Sequence, residues 1–129
     1  MFKKLTIFSL LTVLALSLTA CAPVEGGESY DEFAQCLTDE GMTLYGAFWC
    51  GHCADQKKLF GTAMDYIDYV ECDPRGDDGQ PDLCLEEGIE GYPTWKNTDG
   101  RSWVGAQSLE TLGEITGCPV PSTEEATTE

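Results

Sequence analysis

Two cysteines two residues apart, Cys50 and Cys53, stand where the apolar and aromatic run Met42 to Trp49 gives way to a helical pattern through Phe60. Few features constrain a small chain as tightly. A short run of this composition predicts a buried strand, and Gly61 closes the helix that follows. The pair therefore falls at a helix N-terminus, where unpaired backbone N–H groups and the macrodipole favour negative charge. A thiol attacks a disulfide only as thiolate, and a C-x-x-C pair in such a setting favours that form. Two intervening residues place Cys53 about one turn along, within reach of a mixed disulfide at Cys50. Cys50 reads as the nucleophile and Cys53 as the resolving thiol.

Helix and turn signals organise the rest. Ser29 and Glu32 form an S-x-x-E capping box opening a helix through about Thr38, which Gly41 ends. Tyr66 to Cys72 alternates like a strand, and Asp73 to Gln80 is built almost wholly of turn formers. Pro81 suits the first position of a short helix to Glu87. Tyr92 to Trp95 starts another strand, Asn97 to Gly100 turns, Arg101 to Val104 pairs back, and Ser108 to Thr116 is a last helix. Helices alternating with strands and a terminal hairpin imply an α/β domain, a central mixed β-sheet flanked by helices.

The chain's ends bear on compartment. Lys3 and Lys4, an apolar stretch from Leu5 to Leu18 and small residues before Cys21 describe an export signal over residues 1–20. The stretch is shorter than the roughly 20 residues of a membrane-spanning helix. Leu18 to Cys21 (LTAC) resembles the bacterial lipoprotein lipobox, which makes Cys21 a lipidated first residue, tethered through residues 21–28 to a domain spanning 29–118. An ordinary cleaved signal is the alternative. Residues 119–129 hold too little apolar surface to fold and read as a disordered acidic tail. The whole chain carries a net charge of −16, and losing the leader removes two lysines and no acid. That balance argues against nucleic acid or an anionic lipid surface as partner, since both need a basic patch. Of the 7 cysteines, setting Cys21 aside leaves Cys36, Cys50, Cys53, Cys72, Cys84 and Cys118. An even number in an exported chain suggests disulfides, with the pairing left open.

A strand ending in Phe48-Trp49, then Cys50-Gly51-His52-Cys53 opening a helix, then Gly91-Tyr92-Pro93-Thr94, resembles the thioredoxin fold. More closely, YGAFWCGHCADQKKLFG (45–61), YVECDPRGDDGQPDLC (69–84) and GIEGYPTW (88–95) resemble the thioredoxin-like domain fused to bacterial vitamin K epoxide reductase homologues, here as a stand-alone lipoprotein. The resemblance implies a thiol–disulfide oxidoreductase acting on protein thiols and disulfides without a cofactor. It also suggests a quinone-linked membrane partner of the vitamin K epoxide reductase type, in an extracytoplasmic, lipid-anchored location. Pro93 then matches a cis-proline facing the dithiol, Tyr92 offers its backbone to an extended substrate, and Trp49 packs over the active site. Gly51-His52 is the dipeptide of protein disulfide isomerase. An imidazolium at His52 would stabilise the thiolate and make the potential more oxidising than the ~−270 mV of thioredoxin. The resemblance supports a Cys72–Cys84 bridge, leaving Cys36 and Cys118 as the remaining couple. Electron relay from Cys72–Cys84 to Cys50–Cys53 is an alternative role for the first bridge.

One departure stands out. Many thioredoxins carry a buried acid on the strand before the dithiol, where it helps deprotonate the resolving thiol; the matching position here is Leu44. Proton transfer at Cys53 must then use water or another acid, with Glu71 and Asp55 as candidates. Two other classes compete with the redox reading. One is a four-thiolate zinc site from Cys50, Cys53, Cys72 and Cys84, and the other a structural lipoprotein module with every cysteine locked. Haem attachment needs C-x-x-C-H, and residue 54 is Ala.

Overall fold

A computed structural model describes residues 29–122. The expected signal peptide, the lipidation site Cys21 and the tether to residue 28 lie outside the described residues, as does the tail beyond residue 122. The elements are helix α1 (Tyr30–Asp39), strand β1 (Thr43–Gly46), helix α2 (Gly51–Phe60), a 3-10 segment (Gly61–Tyr66), strand β2 (Asp68–Glu71), helix α3 (Pro81–Glu86), strands β3 (Thr94–Lys96) and β4 (Ser102–Val104), and helix α4 (Leu109–Thr116). None of the described helices is long and apolar enough to cross a membrane.

Local chemistry explains the helix ends. At α1 the Glu32 N–H donates to Ser29 Oγ (3.2 Å) and the Ser29 N–H donates to Glu32 Oε2 (3.0 Å), so two orphan donors are satisfied reciprocally. Ser108 caps α4 through the Thr111 N–H (3.1 Å), and Gly117 ends it in the left-handed region at φ 82°.

The four strands lie in the order β2-β1-β3-β4, with β1 parallel to β2 and antiparallel to β3, and β3 antiparallel to β4. Because side chains alternate across a strand, the register makes two rows. Tyr69, Leu44, Trp95 and Trp103 pair across the sheet and pack against Phe33, Ala34 and Leu37 of α1, Phe60 of α2 and Leu112 of α4. Val70 and Tyr45 form the other row and pack with Cys72, Cys84, Leu83 and Ile89, so the α3 region covers that side. Helices thus cover both faces of a mixed sheet. A fully buried Gln56 ties the layers together. Its Oε1 accepts from Trp95 Nε1 (3.1 Å) and from the Gln107 N–H (2.6 Å), while its Nε2 donates to the Gln107 carbonyl (3.1 Å).

Three boundaries depart from expectation. The first strand ends at Gly46, and Phe48 and Trp49 stand 56% and 58% exposed in a turn rather than buried in a strand. A 3-10 segment follows α2, its end held when Thr38 Oγ1 donates to the Tyr66 carbonyl (2.7 Å) and accepts from the Asp68 N–H (3.1 Å). Packed chain also continues past Cys118, since Val120 rests on the main core and Pro121 is buried.

Cys36 bonds to Cys118 and Cys72 to Cys84, with Cα–Cα separations of 5.9 and 5.8 Å. The first bridge joins α1 to the second residue past α4. The second closes the turn-rich segment between β2 and α3.

Candidate functional site

The segment Ala47 to Cys50 turns the chain out of β1, with the Cys50 N–H donating to the Ala47 carbonyl (3.0 Å). Cys50 adopts the extended N-cap conformation of α2 and its Sγ accepts the N–H of Cys53 at 3.2 Å. Cysteine here takes the place that Ser, Thr, Asp or Asn usually fills. A sulfur so placed meets the positive end of the helix, and Lys57 and Lys58 in the last turn complement the other end. Cys50 is 8% exposed and Cys53 2%, and both are free thiols. Ala47 and Tyr92 close the small apolar cluster around them.

Tyr92 precedes Pro93 through a cis peptide bond, and Pro93 is fully buried. The Pro93 carbonyl accepts from the Gly105 N–H at 2.7 Å, and Thr94 Oγ1 donates to the Gly91 carbonyl at 2.8 Å, which fixes this corner against the β3–β4 hairpin. Gly51 and His52 are exposed on the first turn of α2.

Trp49 stands edge-on to Tyr92, with ring centroids 6.0 Å apart. Its Nε1 donates to Asp73 Oδ2 at 2.7 Å. Arg75 grips the same carboxylate through Nε (3.0 Å) and Nη2 (2.8 Å), and its guanidinium lies 5.8 Å from the centroid of the Phe48 ring. The Arg75 side-chain and backbone hydrogen bonds, then the Trp49 indole, hold the Asp73 carboxyl far below the usual carboxylate range. An exposed aromatic pair is thereby fastened to the loop that Cys72–Cys84 closes.

Beneath the dithiol, Glu71 is buried and serves three partners. Its Oε1 accepts the N–H groups of Phe48 (3.2 Å) and Asp73 (3.0 Å), and its Oε2 accepts the Tyr69 hydroxyl (2.9 Å). Tyr69 in turn lies under the Lys57 ammonium, 3.6 Å from the ring centroid. Burial, and then the hydrogen bond to Cys50, push the Cys53 thiol up from 9.0 to about 12, against opposing effects from an Ala47 backbone hydrogen bond and from Lys57. Burial foremost, then the Glu71 hydrogen bond and charge, raise the Tyr69 phenol well above its ordinary value.

The structure brings Cys50, Cys53, Trp49, Gly51, His52, Tyr92 and Pro93 into one neighbourhood. Of the two carboxylates suggested for Cys53, Asp55 faces solvent and pairs with Lys58 at 3.4 Å, whereas Glu71 joins the network below. Leu44 is core, paired with Trp95 and Tyr69. Sequence reasoning passed over Tyr69, Lys57, Asp73 and Gln56. The spacing of Lys57 from Cys53, four residues along one helix, was the available signal for the lysine. The proposed zinc set fails on its donors, because Cys72 and Cys84 are bonded to each other. The reading in which every cysteine is locked fails on the free Cys50 and Cys53.

No protein-family model matches the chain. Over 88 residues, 65% of its length, it is 43% identical to the thiol-disulfide oxidoreductase LTO1 of Arabidopsis thaliana, covering 23% of that protein. Over 93 residues, 64% of its length, it is 30% identical to a protein disulfide-isomerase of Aspergillus niger, covering 18% of that protein. The chain thus spans less than a quarter of these curated relatives. Among solved structures it is similar to the thioredoxin NaTrxh from Nicotiana alata, with a TM-score of 0.44 and 18% identity over 67% of this chain and 81% of that one. The sheet order, the dithiol capping α2 and the cis-proline next to Tyr92 give the described region a thioredoxin-like fold.

Proposed function

We propose that the protein is a thiol–disulfide oxidoreductase that exchanges disulfides with protein substrates through Cys50 and Cys53. The observation that carries this reading is the placement of Cys50: an unbonded sulfur capping α2, 3.2 Å from the Cys53 N–H and packed with Tyr92 beside a cis-proline. The other described cysteines are paired.

In the reducing direction, the Cys50 thiolate attacks one sulfur of a substrate disulfide. An S–S bond forms between Cys50 and the substrate, and the other substrate sulfur leaves as thiolate and takes up a proton. Cys53, once deprotonated, attacks Cys50 Sγ, so that a Cys50–Cys53 disulfide forms and the second substrate sulfur is released. Two electrons have then passed from enzyme to substrate; run backward, the same steps oxidise a substrate dithiol. Exposed Phe48 and Trp49 supply apolar surface beside the sulfur, and Tyr92 supplies backbone to an extended segment. His52, exposed on the first turn, favours the reduced dithiol when it carries a proton, which places the potential above the ~−270 mV of thioredoxin.

The finer reading comes from the leader-like residues 1–20 and Cys21. The protein acts outside the cytoplasm of a bacterium, held to a membrane by lipid on Cys21. Two or more acyl chains give a stable anchor, each buried methylene contributing ~0.8 kcal/mol. A quinone-linked membrane protein of the vitamin K epoxide reductase type resets the dithiol.

A Cys53→Ala variant expressed in cells tests the function directly, because it cannot resolve the first covalent complex. The expected result is a set of proteins bound through Cys50 and released by reductant, with the wild-type potential above that of thioredoxin. Absence of any reductant-sensitive adduct, with Cys50 intact, would overturn the reading.

A further inference from the structure

Cys53 has a chemical problem that the proposed cycle must solve. It is 2% exposed, and burial holds its proton firmly, yet it must become a thiolate to attack the mixed disulfide. Water has little access, and the strand beside it offers Leu44, which carries no proton. The groups that face Cys53 come from three elements. They are Cys50 and Lys57 of the α2 region, Tyr69 with Glu71 behind it on β2, and Tyr92 before β3.

Gly46 shows how close the β2 side comes. A Cβ built on Gly46 would stand 3.1 Å from Cys53 Sγ and 3.2 Å from the Tyr69 hydroxyl oxygen. The sulfur and the phenol therefore converge on one spot that only the missing side chain keeps open. From that phenol a 2.9 Å hydrogen bond leads to Glu71 Oε2. The same carboxylate is oriented from the other side by the Phe48 and Asp73 N–H groups.

Resting on the redox reading above, we propose that Tyr69 and Glu71 form the proton path of the resolving step, with Lys57 as a positioning residue. The Cys53 S–H proton moves to the Tyr69 oxygen across the space that both atoms border beside Gly46. Tyr69 gives its own hydroxyl proton to Glu71 Oε2, and Cys53, now a thiolate, attacks Cys50 Sγ. One proton leaves sulfur, one arrives on the carboxylate, and the phenol is unchanged. In the oxidising direction Glu71 returns the proton by the same route as Cys53 departs. The Lys57 ammonium over the Tyr69 ring fixes the phenol in place and stabilises negative charge as it develops on sulfur. The carboxylate thus reaches the buried thiol from β2 through a phenol, which is why β1 can spend position 44 on a core leucine.

Single-turnover kinetics with reduced protein and an aromatic disulfide probe separate the two steps, since each releases one coloured thiolate. In Tyr69→Phe the second release is expected to slow about a hundredfold at neutral pH, the low end of what a positioned base supplies. The gap from wild type should narrow as pH rises and hydroxide takes over. Glu71→Gln should behave alike, and Lys57→Gln should slow the step less. The first release, measured in a Cys53→Ala background with and without Tyr69→Phe, should agree within about twofold. A second release that is unchanged, or slowed by one factor at every pH, overturns the proton path and leaves Tyr69 as packing. If Glu71→Gln fails to fold, Tyr69→Phe decides alone. A first release absent from the Cys53→Ala protein overturns the redox reading itself, and this inference with it.

Discussion

The domain uses cysteine in two ways at two places. Cys36–Cys118 and Cys72–Cys84 each join separate elements, one across the first and last helices and one around a turn-rich loop. Cys50 and Cys53 belong to one helix start, and neither is bonded. All are largely hidden from solvent, so burial alone does not sort them. What differs is the backbone around the sulfur. The bridging cysteines lie in packed clusters with Val70, Tyr45 or Phe33 nearby, where a bond between distant segments restricts the unfolded chain. Cys50 instead receives an N–H from its own helix, at the start of α2 rather than across two segments. One residue type thus serves as staple or as reagent according to what its neighbours offer.

The sharpest way to break this contrast is Cys50→Ser, which is expected to abolish disulfide exchange, at least about a thousandfold, while the melting temperature barely moves. An insulin-type turbidity assay with a thermal melt would show both. The converse is the double change Cys36→Ala with Cys118→Ala. In the chain-entropy model so long a loop is worth between ~4 and ~5 kcal/mol, so denaturant unfolding should show a loss of that order while exchange per folded molecule survives. Loss of exchange in the folded fraction would mean that the two regions are not separate. Next in size is Gly46→Ala, whose methyl meets both Cys53 Sγ and the Tyr69 ring at 3.1 Å. Overpacking typically costs ~1–3 kcal/mol, and here it should also slow the second release more than the first. A last effect is linked to pH. The raised Cys53 thiol keeps its proton in the fold when the unfolded chain has lost it, so its contribution is complete below pH 9.0 and lost as pH rises to about 12. Reduced wild type should therefore lose more stability than Cys53→Ser over that window, by equilibrium unfolding at matched pH.

Much of this was readable from local sequence because it is locally caused. The Ser29–Glu32 capping box, the Pro81 helix start, the Asn97–Gly100 turn and the cysteines opening α2 are each specified by neighbours within a few residues. Where the sequence misled, the deciding partner was distant. Phe48 and Trp49 look like core until Asp73 and Arg75, on another loop, give the indole and the phenyl ring surface partners. The 3-10 segment has no pattern of its own and depends on Thr38 from α1. Gln56 escaped notice, since nothing local reveals that Trp95 and Gln107 will surround it. Glu71 was visible as a candidate acid, but its link to Cys53 runs through Tyr69, and β-strand alternation announces only that a tyrosine faces one way.

The bridge from Cys36 of α1 to Cys118 beyond α4 encloses nearly all of the described chain. A protease that nicks any single exposed turn between those two sulfurs cannot shed a fragment. The severed halves stay covalently joined, free to re-dock, until a reductant arrives. The bridge thus converts a lethal cut into a scar.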